Sequence, residues 1–211
     1  MKWQQDLIKD IRDFNQSDDS DWAYPHPKGY GFYIDEHGNG AYPPEMTYCN
    51  RYHLLQQFYR VRDKCSAILE IGIGRNGQDS SAYVFTKNKK KGTIYVGLDL
   101  DDRSFLDDHD NNVHTIRNNS SSYGENIFKI NQLGVKKFDF IFIDGWHSIN
   151  QVLKEWRFTE YLSDFGIVCL HDTNFHPGPT ELVNNLKSER YIIEKTCTEG
   201  NDWGITFITK R

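Results

Sequence analysis

Beyond residue 64 the chain alternates between short apolar runs of strand length and longer stretches whose apolar positions recur with a helical period. "SAILEIGIG" (66–74) predicts a strand, "GQDSSAYVFTK" a helix, and "GTIYVGLDL" and "NVHTIRNN" two further strands. "YGENIFKINQL" then reads as helix, "FDFIFID" as strand, "SINQVLKEWRFTEYL" as helix, "FGIVCLHD" as strand and "GPTELVNNLKS" as helix. "RYIIEKTC" and "WGITFITK" close the chain as two strands joined by a turn at "EGND". Ile141, Phe142 and Ile143 form an unbroken apolar run, as in a strand buried on both faces. Strand and helix in regular exchange predict an α/β fold with a doubly wound sheet. The final pair, with no helix between its strands, predicts an antiparallel hairpin at one edge.

The first sixty residues have a different texture. Leu7, Ile8 and Ile11 share one face of a short predicted helix, and a second helix is expected from about Glu45 to Asp63. Between them, residues 17–44 are rich in Gly, Pro, Tyr and Trp without periodicity. A loop of that length is either a lid over a site or an irregular arm on the sheet edge. The expected organisation is an N-terminal cover over 1–60 and a cofactor-binding α/β domain over 61–211.

With 211 residues, the chain suits one domain with a sizeable core. A formal charge of −5 argues against a nucleic-acid partner, and the basic run "KNKKK" (87–91) reads as a solvated turn. The four cysteines, at 49, 65, 169 and 197, match neither a zinc spacing nor a small secreted disulfide frame. With no membrane-length apolar stretch and no signal-peptide pattern, the expectation is a soluble, cytoplasmic protein with no membrane partner. The oligomeric state is open, a homodimer included.

Candidate chemistry begins at "LEIGIGRNG", where Gly72, Gly74 and Gly77 stand as G-x-G-x-x-G between a strand and a helix. Glycines there allow a tight turn and close approach of backbone amides to a ligand. Asp99 ends the next strand, where a carboxylate can accept from both hydroxyls of a ribose. The pattern fits NAD and S-adenosylmethionine alike, since both present an adenosine ribose. Glu70, at the strand end before the glycines, and Asp79, an anion in the following turn, tilt it toward S-adenosylmethionine.

Two more strands end in acids, Asp144 in "FIDGWH" and Asp172 in "CLHDTN". As neighbours in a doubly wound sheet, about 4.8 Å apart, they would bring two carboxylates to one edge, beside the cofactor crevice. Helix capping is the plain alternative for each. Like charges so placed repel unless a cation or proton relieves them, and oxygen donors suit Mg²⁺ or a similar hard ion. His171 or Asn174 is the candidate third ligand. His147 falls in the first turn of the following helix, placed to act as a general base near neutral pH or merely to bond to backbone. An iron site built from His147, His171 and Asp172 is disfavoured, because adjacent residues 171 and 172 of a strand should point to opposite faces.

On "EIGIGRNG", "VGLDL" and "FIDGWHSINQVLKEW…LSDFGIVCLHDT", the chain resembles the metal-dependent class I S-adenosylmethionine O-methyltransferases. Within them it is most similar to the sugar and macrocin O-methyltransferase and cephalosporin-hydroxylase-like group, over roughly residues 66–209. The resemblance implies a mostly parallel, seven-stranded Rossmann-like sheet, cofactor contacts from Glu70, Gly72 and Asp99, and adenine contacts near Ser120. It also implies Mg²⁺ on Asp144 and Asp172 with a base near His147. Two departures stand out: His171 where relatives often carry a second acid, and Asn118-Asn119-Ser120 where they have Gly-Asp-Ser or Gly-Ala-Ser. The expected function is Mg²⁺-assisted methyl transfer to a hydroxyl of a sugar or glycan, a deoxyhexose such as rhamnose included. Tyr24, Tyr30, Phe32 and Tyr33 would stack on the acceptor. The rivals are an NAD-dependent oxidoreductase and a catalytically silent cofactor-binding module of a glycan-building assembly.

Overall fold

The computed structural model describes residues 46–74, 80–199 and 202–211, together with the backbone of two short strands, β1 (Tyr33–Ile34) and β2 (Gly40–Ala41), which pair antiparallel. The helix predicted over residues 3–14, the side chains of Tyr24, Tyr30, Phe32 and Tyr33, Gly77 and Asp79 all lie outside the described residues.

From α1 (Tyr48–Arg62) onward the order is β3 (Ala67–Ile71), α2 (Ser81–Asn88), β4 (Ile94–Asp99), β5 (Val113–Arg117), α3 (Tyr123–Gln132) and β6 (Phe138–Ile143). There follow α4 (Ile149–Trp156), β7 (Leu162–His171), α5 (Pro177–Asn185), β8 (Tyr191–Thr196) and β9 (Ile205–Lys210). The seven long strands form one sheet in the order β5-β4-β3-β6-β7-β9-β8. β9 runs antiparallel to both its neighbours, and the pairs from β5 across to β7 are parallel. The predicted hairpin stands at one edge of the sheet, where β9 inserts between β7 and β8, so the edge strand is β8. Within β8 only Tyr191 is buried, as suits an edge strand, whereas β9 is buried over most of its length.

The predicted helix over 148–162 is also shorter. α4 stops at Trp156, Arg157–Tyr161 tighten into a 3₁₀ turn, and Leu162 already belongs to β7. The Thr159 hydroxyl donates to the Trp156 carbonyl at 2.7 Å, satisfying a helix-end acceptor.

Strand alternation divides the core between the two sheet faces. Leu69, Ile71, Val96, Leu98, Ile141 and Ile143 pack on one side with α3, α4 and α5. Ile68, Tyr95, Phe140, Phe142 and Cys169 pack on the other with Leu54, Phe58 and Phe85 of α1 and α2. Phe58, Phe85 and Phe140 meet edge-on or tilted, with ring centres 5.3–5.9 Å apart, an arrangement that adds to area burial. α1 is thus built into the same core as the sheet. A disulfide between Cys49 of α1 and Cys197 just past β8 adds a covalent tie. Nothing in the cysteine spacing announced that pair, because 148 positions separate its members. Cys169 is a buried free thiol, as expected of a core residue.

Candidate functional site

The C-terminal ends of β3, β4, β6 and β7 face one edge of the sheet, and their backbones interlock there. The Asp144 amide donates to the Ile71 carbonyl at 2.8 Å, and the Gly72 amide to Leu98 at 2.9 Å. Gly72 has φ +79°, and a Cβ added to it would lie 2.0 Å from the Asp144 carbonyl oxygen. Only glycine combines that backbone conformation with that approach. The first glycine of the motif therefore serves the meeting of two strand tips.

The two acids at the β3 and β4 tips are enclosed by fixed donors. Glu70 is fully buried, and the Ser81 and Tyr95 hydroxyls donate to its two oxygens. Burial outweighs those bonds and pushes its carboxyl up to about 8. Asp99 accepts from the Ile73 amide and the Asp101 amide, each at 2.8 Å, and pairs with Arg103 at 3.2 Å. It is thereby held against the glycine loop, with Gly74 immediately beyond the amide it accepts from.

The β6 and β7 tips are organised differently. Ile143 pairs with Leu170 in the parallel register, which sets Asp144 opposite His171. Both continue the alternation of the face that α1 covers. Asp172 departs from the strand with φ +60°, a left-handed turn that asparagine and aspartate tolerate better than most residues. That turn corrects the sequence expectation that His171 and Asp172 diverge, since the strand period no longer applies at Asp172. His171 Nδ1 lies 3.1 Å from Asp144 Oδ1 and 3.2 Å from Asp172 Oδ1. His147 Nε2 lies 2.8 Å from Asp172 Oδ2 and 3.8 Å from Asp144 Oδ1. The His147 ring also sits 4.1 Å from that of His176, centre to centre.

His147 is positioned through its backbone. Its carbonyl accepts from the Gly178 amide at 2.8 Å, and a Cβ at Gly178 would come within 2.5 Å of that oxygen. Ser148 next to it caps α4 by accepting from the Gln151 amide. Capping at this helix thus falls to Ser148 rather than to Asp144.

Electrostatically the four groups form one unit. Burial disfavours charge on His171, but Asp172 and Asp144 outweigh it and hold the imidazolium up to about 10. Burial likewise works against the Asp172 carboxylate, yet His171 and His147 keep its carboxyl well below the usual range. Asp144, His171 and Asp172 present three donor atoms within 4.8 Å of one another, as do His147, Asp172 and His176. The imidazolium lodged between two carboxylates marks a spot built for positive charge, and the donors converging on it fit a divalent cation. Asn174 is turned elsewhere. Its side chain donates to the carbonyls of Cys197 and Asp202, so of the two candidate third ligands only His171 reaches the cluster.

Asn50, Gln151 and Glu155 belong to this edge and were not singled out from sequence. Asn50 Oδ1 lies 3.1 Å from His171 Nε2. Ser120 Oγ donates to Glu155 Oε1 at 2.7 Å and accepts from Gln151 Nε2 at 2.7 Å. Glu155 is buried directly beneath Gly145, where an added Cβ would meet Glu155 Oε1 at 2.4 Å. Burial pushes its carboxyl up to about 7. An acid between Val152 and Trp156 on the apolar face of α4 was the available signal for Glu155. Asn50 gave none beyond its place in a helix cap.

No family model matches the chain, and no curated protein matches it. Solved structures do. MycE, a methyltransferase from the mycinamycin biosynthetic pathway in complex with Mg, S-adenosylhomocysteine and mycinamycin VI, aligns over 75% of this chain at 16% identity and TM-score 0.54. The alignment takes in 48% of MycE, so the chain spans about half the length of that protein. CalS11, a TDP-rhamnose 3'-O-methyltransferase of calicheamicin biosynthesis, aligns over 99% of this chain and 93% of its own, at 11% identity and TM-score 0.55. An rRNA methylase from Streptococcus thermophilus aligns over 75% and 95%, at 10% identity and TM-score 0.51. What these proteins share with the chain is the architecture: a seven-stranded, Rossmann-like methyltransferase fold.

Proposed function

We propose that the chain is an S-adenosylmethionine-dependent O-methyltransferase that uses a divalent cation to methylate a hydroxyl of a sugar or glycan. One observation carries this reading: Asp144, His171, Asp172 and His147 converge at the edge where β3 and β4 present the glycine loop and Asp99. In this reading Asp99 binds the cofactor's ribose, Gly72 and Gly74 keep the loop close to it, and Glu70 braces the loop from beneath through Ser81 and Tyr95. Ser120, tied to Gln151 and Glu155, borders the adenine.

Asp144, Asp172 and His171 would hold the cation. When bound, it supplies positive charge that favours loss of an acceptor hydroxyl's proton. His147 Nε2 faces the same spot and takes that proton. Bound S-adenosylmethionine would supply the methyl group, which the acceptor oxygen would take as the carbon–sulfur bond breaks and S-adenosylhomocysteine is left. Much of the acceleration comes from holding oxygen and methyl in line. The sugar acceptor is suggested by the resemblance and by the TDP-rhamnose named for CalS11.

The test is transfer of a labelled methyl group to a panel of free and nucleotide-linked sugars, with and without chelator. Mass gain by one methyl group that chelator suppresses supports the reading. Tight NADH binding with no S-adenosylmethionine binding would replace it with the oxidoreductase alternative. Cofactor binding with no turnover on any acceptor would favour the silent module.

A further inference from the structure

His171 stands among the proposed cation ligands, and the surrounding hydrogen bonds decide which of its nitrogens faces the cluster. Asn50 Nδ2 lies 2.7 Å from Asp202 Oδ1. A carboxylate only accepts, so the amide of Asn50 must donate there, which turns its oxygen toward His171 Nε2. The same oxygen accepts from the Thr47 amide at 3.3 Å, while the Thr47 hydroxyl donates to Asp202 Oδ2 at 2.7 Å. Asn50 is fully buried, and the reciprocal Thr47–Asn50 cap of α1 locks its rotamer. Nε2 of His171 is consequently the N–H partner of Asn50 Oδ1. In the neutral ring the lone pair then sits on Nδ1, the atom 3.1–3.2 Å from the two carboxylates.

We infer that this cation site selects a borderline first-row transition ion, of the Fe²⁺, Co²⁺ or Zn²⁺ class, over Mg²⁺, through a nitrogen ligand on His171 whose tautomer Asn50 sets. Mg²⁺ takes oxygen donors and keeps several waters, whereas imidazole suits the later metals. The chain supplies nitrogen generously here, since His147 and His176 flank Asp172 as well. An outer partner that fixes a ligating histidine also raises its basicity as a donor. Asn50 is thus a positioning residue for the metal. It acts from α1, on the opposite side of His171 from the carboxylates.

The inference rests on the proposed function for the presence of a cation, and calorimetric titration of the full chain separates the two. Co²⁺ and Mg²⁺ are titrated separately, without reductant so that Cys49 and Cys197 stay joined. The unaltered chain should bind Co²⁺ at least about tenfold more tightly than Mg²⁺, and His171→Glu should collapse that ratio. Asn50→Ala should weaken Co²⁺ by about tenfold or more while changing Mg²⁺ far less; a merely structural lesion would weaken both alike. Nitrogen NMR of ring-labelled histidine with Zn²⁺ should move the Nδ1 resonance of His171 and leave its Nε2 protonated. Mg²⁺ binding as tight as Co²⁺, or a ratio unchanged in His171→Glu, overturns the inference and leaves methyl transfer standing. Failure of both ions to bind overturns the inference and the proposed function together.

Discussion

The β3–β4 tips and the β6–β7 tips each bring two acids to the same sheet edge, yet they surround them with different partners. Glu70 and Asp99 are enclosed by hydroxyls, backbone amides and Arg103. Asp144 and Asp172 are enclosed by imidazoles. A metal ion can take the place of an imidazole proton, an exchange that hydroxyls, backbone amides and a guanidinium do not offer. In the proposed reading the first pair therefore serves the cofactor loop and the second the cation, and what distinguishes them is the donor opposite each carboxylate.

The sharpest way to break that contrast is Asp144→Asn or Asp172→Asn. Either should lower methyl transfer by at least about a thousandfold; retained turnover would remove the pair from the chemistry. Gly72→Ala should do the reverse, destabilising the fold by more than about 3 kcal/mol in urea titration, because its Cβ has no room beside the Asp144 carbonyl. Cys49→Ser should cost about 2–4 kcal/mol by the same titration, more than a surface change, since the bond closes a 148-residue separation. Asp99→Asn should weaken S-adenosylmethionine binding by about tenfold in calorimetry, the scale of one hydrogen bond to a charged group.

The smallest effect sharpens the scaffold side. Glu70 is raised from 4.5 to about 8 in the folded chain, so its contribution to stability is complete below 4.5 and is lost as pH rises through 8. Within that window the folded state holds a proton that the unfolded chain releases, and stability falls by about 1.4 kcal/mol per pH unit. Glu70→Gln should flatten the fall between pH 7 and 8 in denaturant titrations. An unchanged slope would mean the buried carboxyl is charged after all.

Much of the sheet was legible in one dimension. The alternation of apolar runs and helical stretches marked all seven long strands, and Ile141–Ile143 announced a strand buried on both faces. The insertion of β9 between β7 and β8 was not legible, because a short connection fixes that two strands pair without fixing what lies on their far sides. In the site, Asp144 and Asp172 stood out as acids ending apolar runs, and His147 for its place three residues past Asp144 at the start of the next helix. His171 was one of two candidates, and the strand period argued against its joining Asp172. The period failed at one residue, where φ turns positive. Asn50 was missed because a partner across 121 positions leaves no local trace, and Glu155 because its one local signal, an acid on the apolar face of α4, does not name a partner 35 positions away.

By itself the sequence determined which segments are strands and helices, where the glycines must bend, and which acids end buried strands. Those properties follow from local periodicity and from the chemistry of single residues. Only the tertiary structure decided that His171 and Asp172 face the same cluster, that Asn50 orients that histidine, and that Cys49 meets Cys197. Each of these depends on backbone register and on contacts between distant elements, and pattern along a chain carries neither.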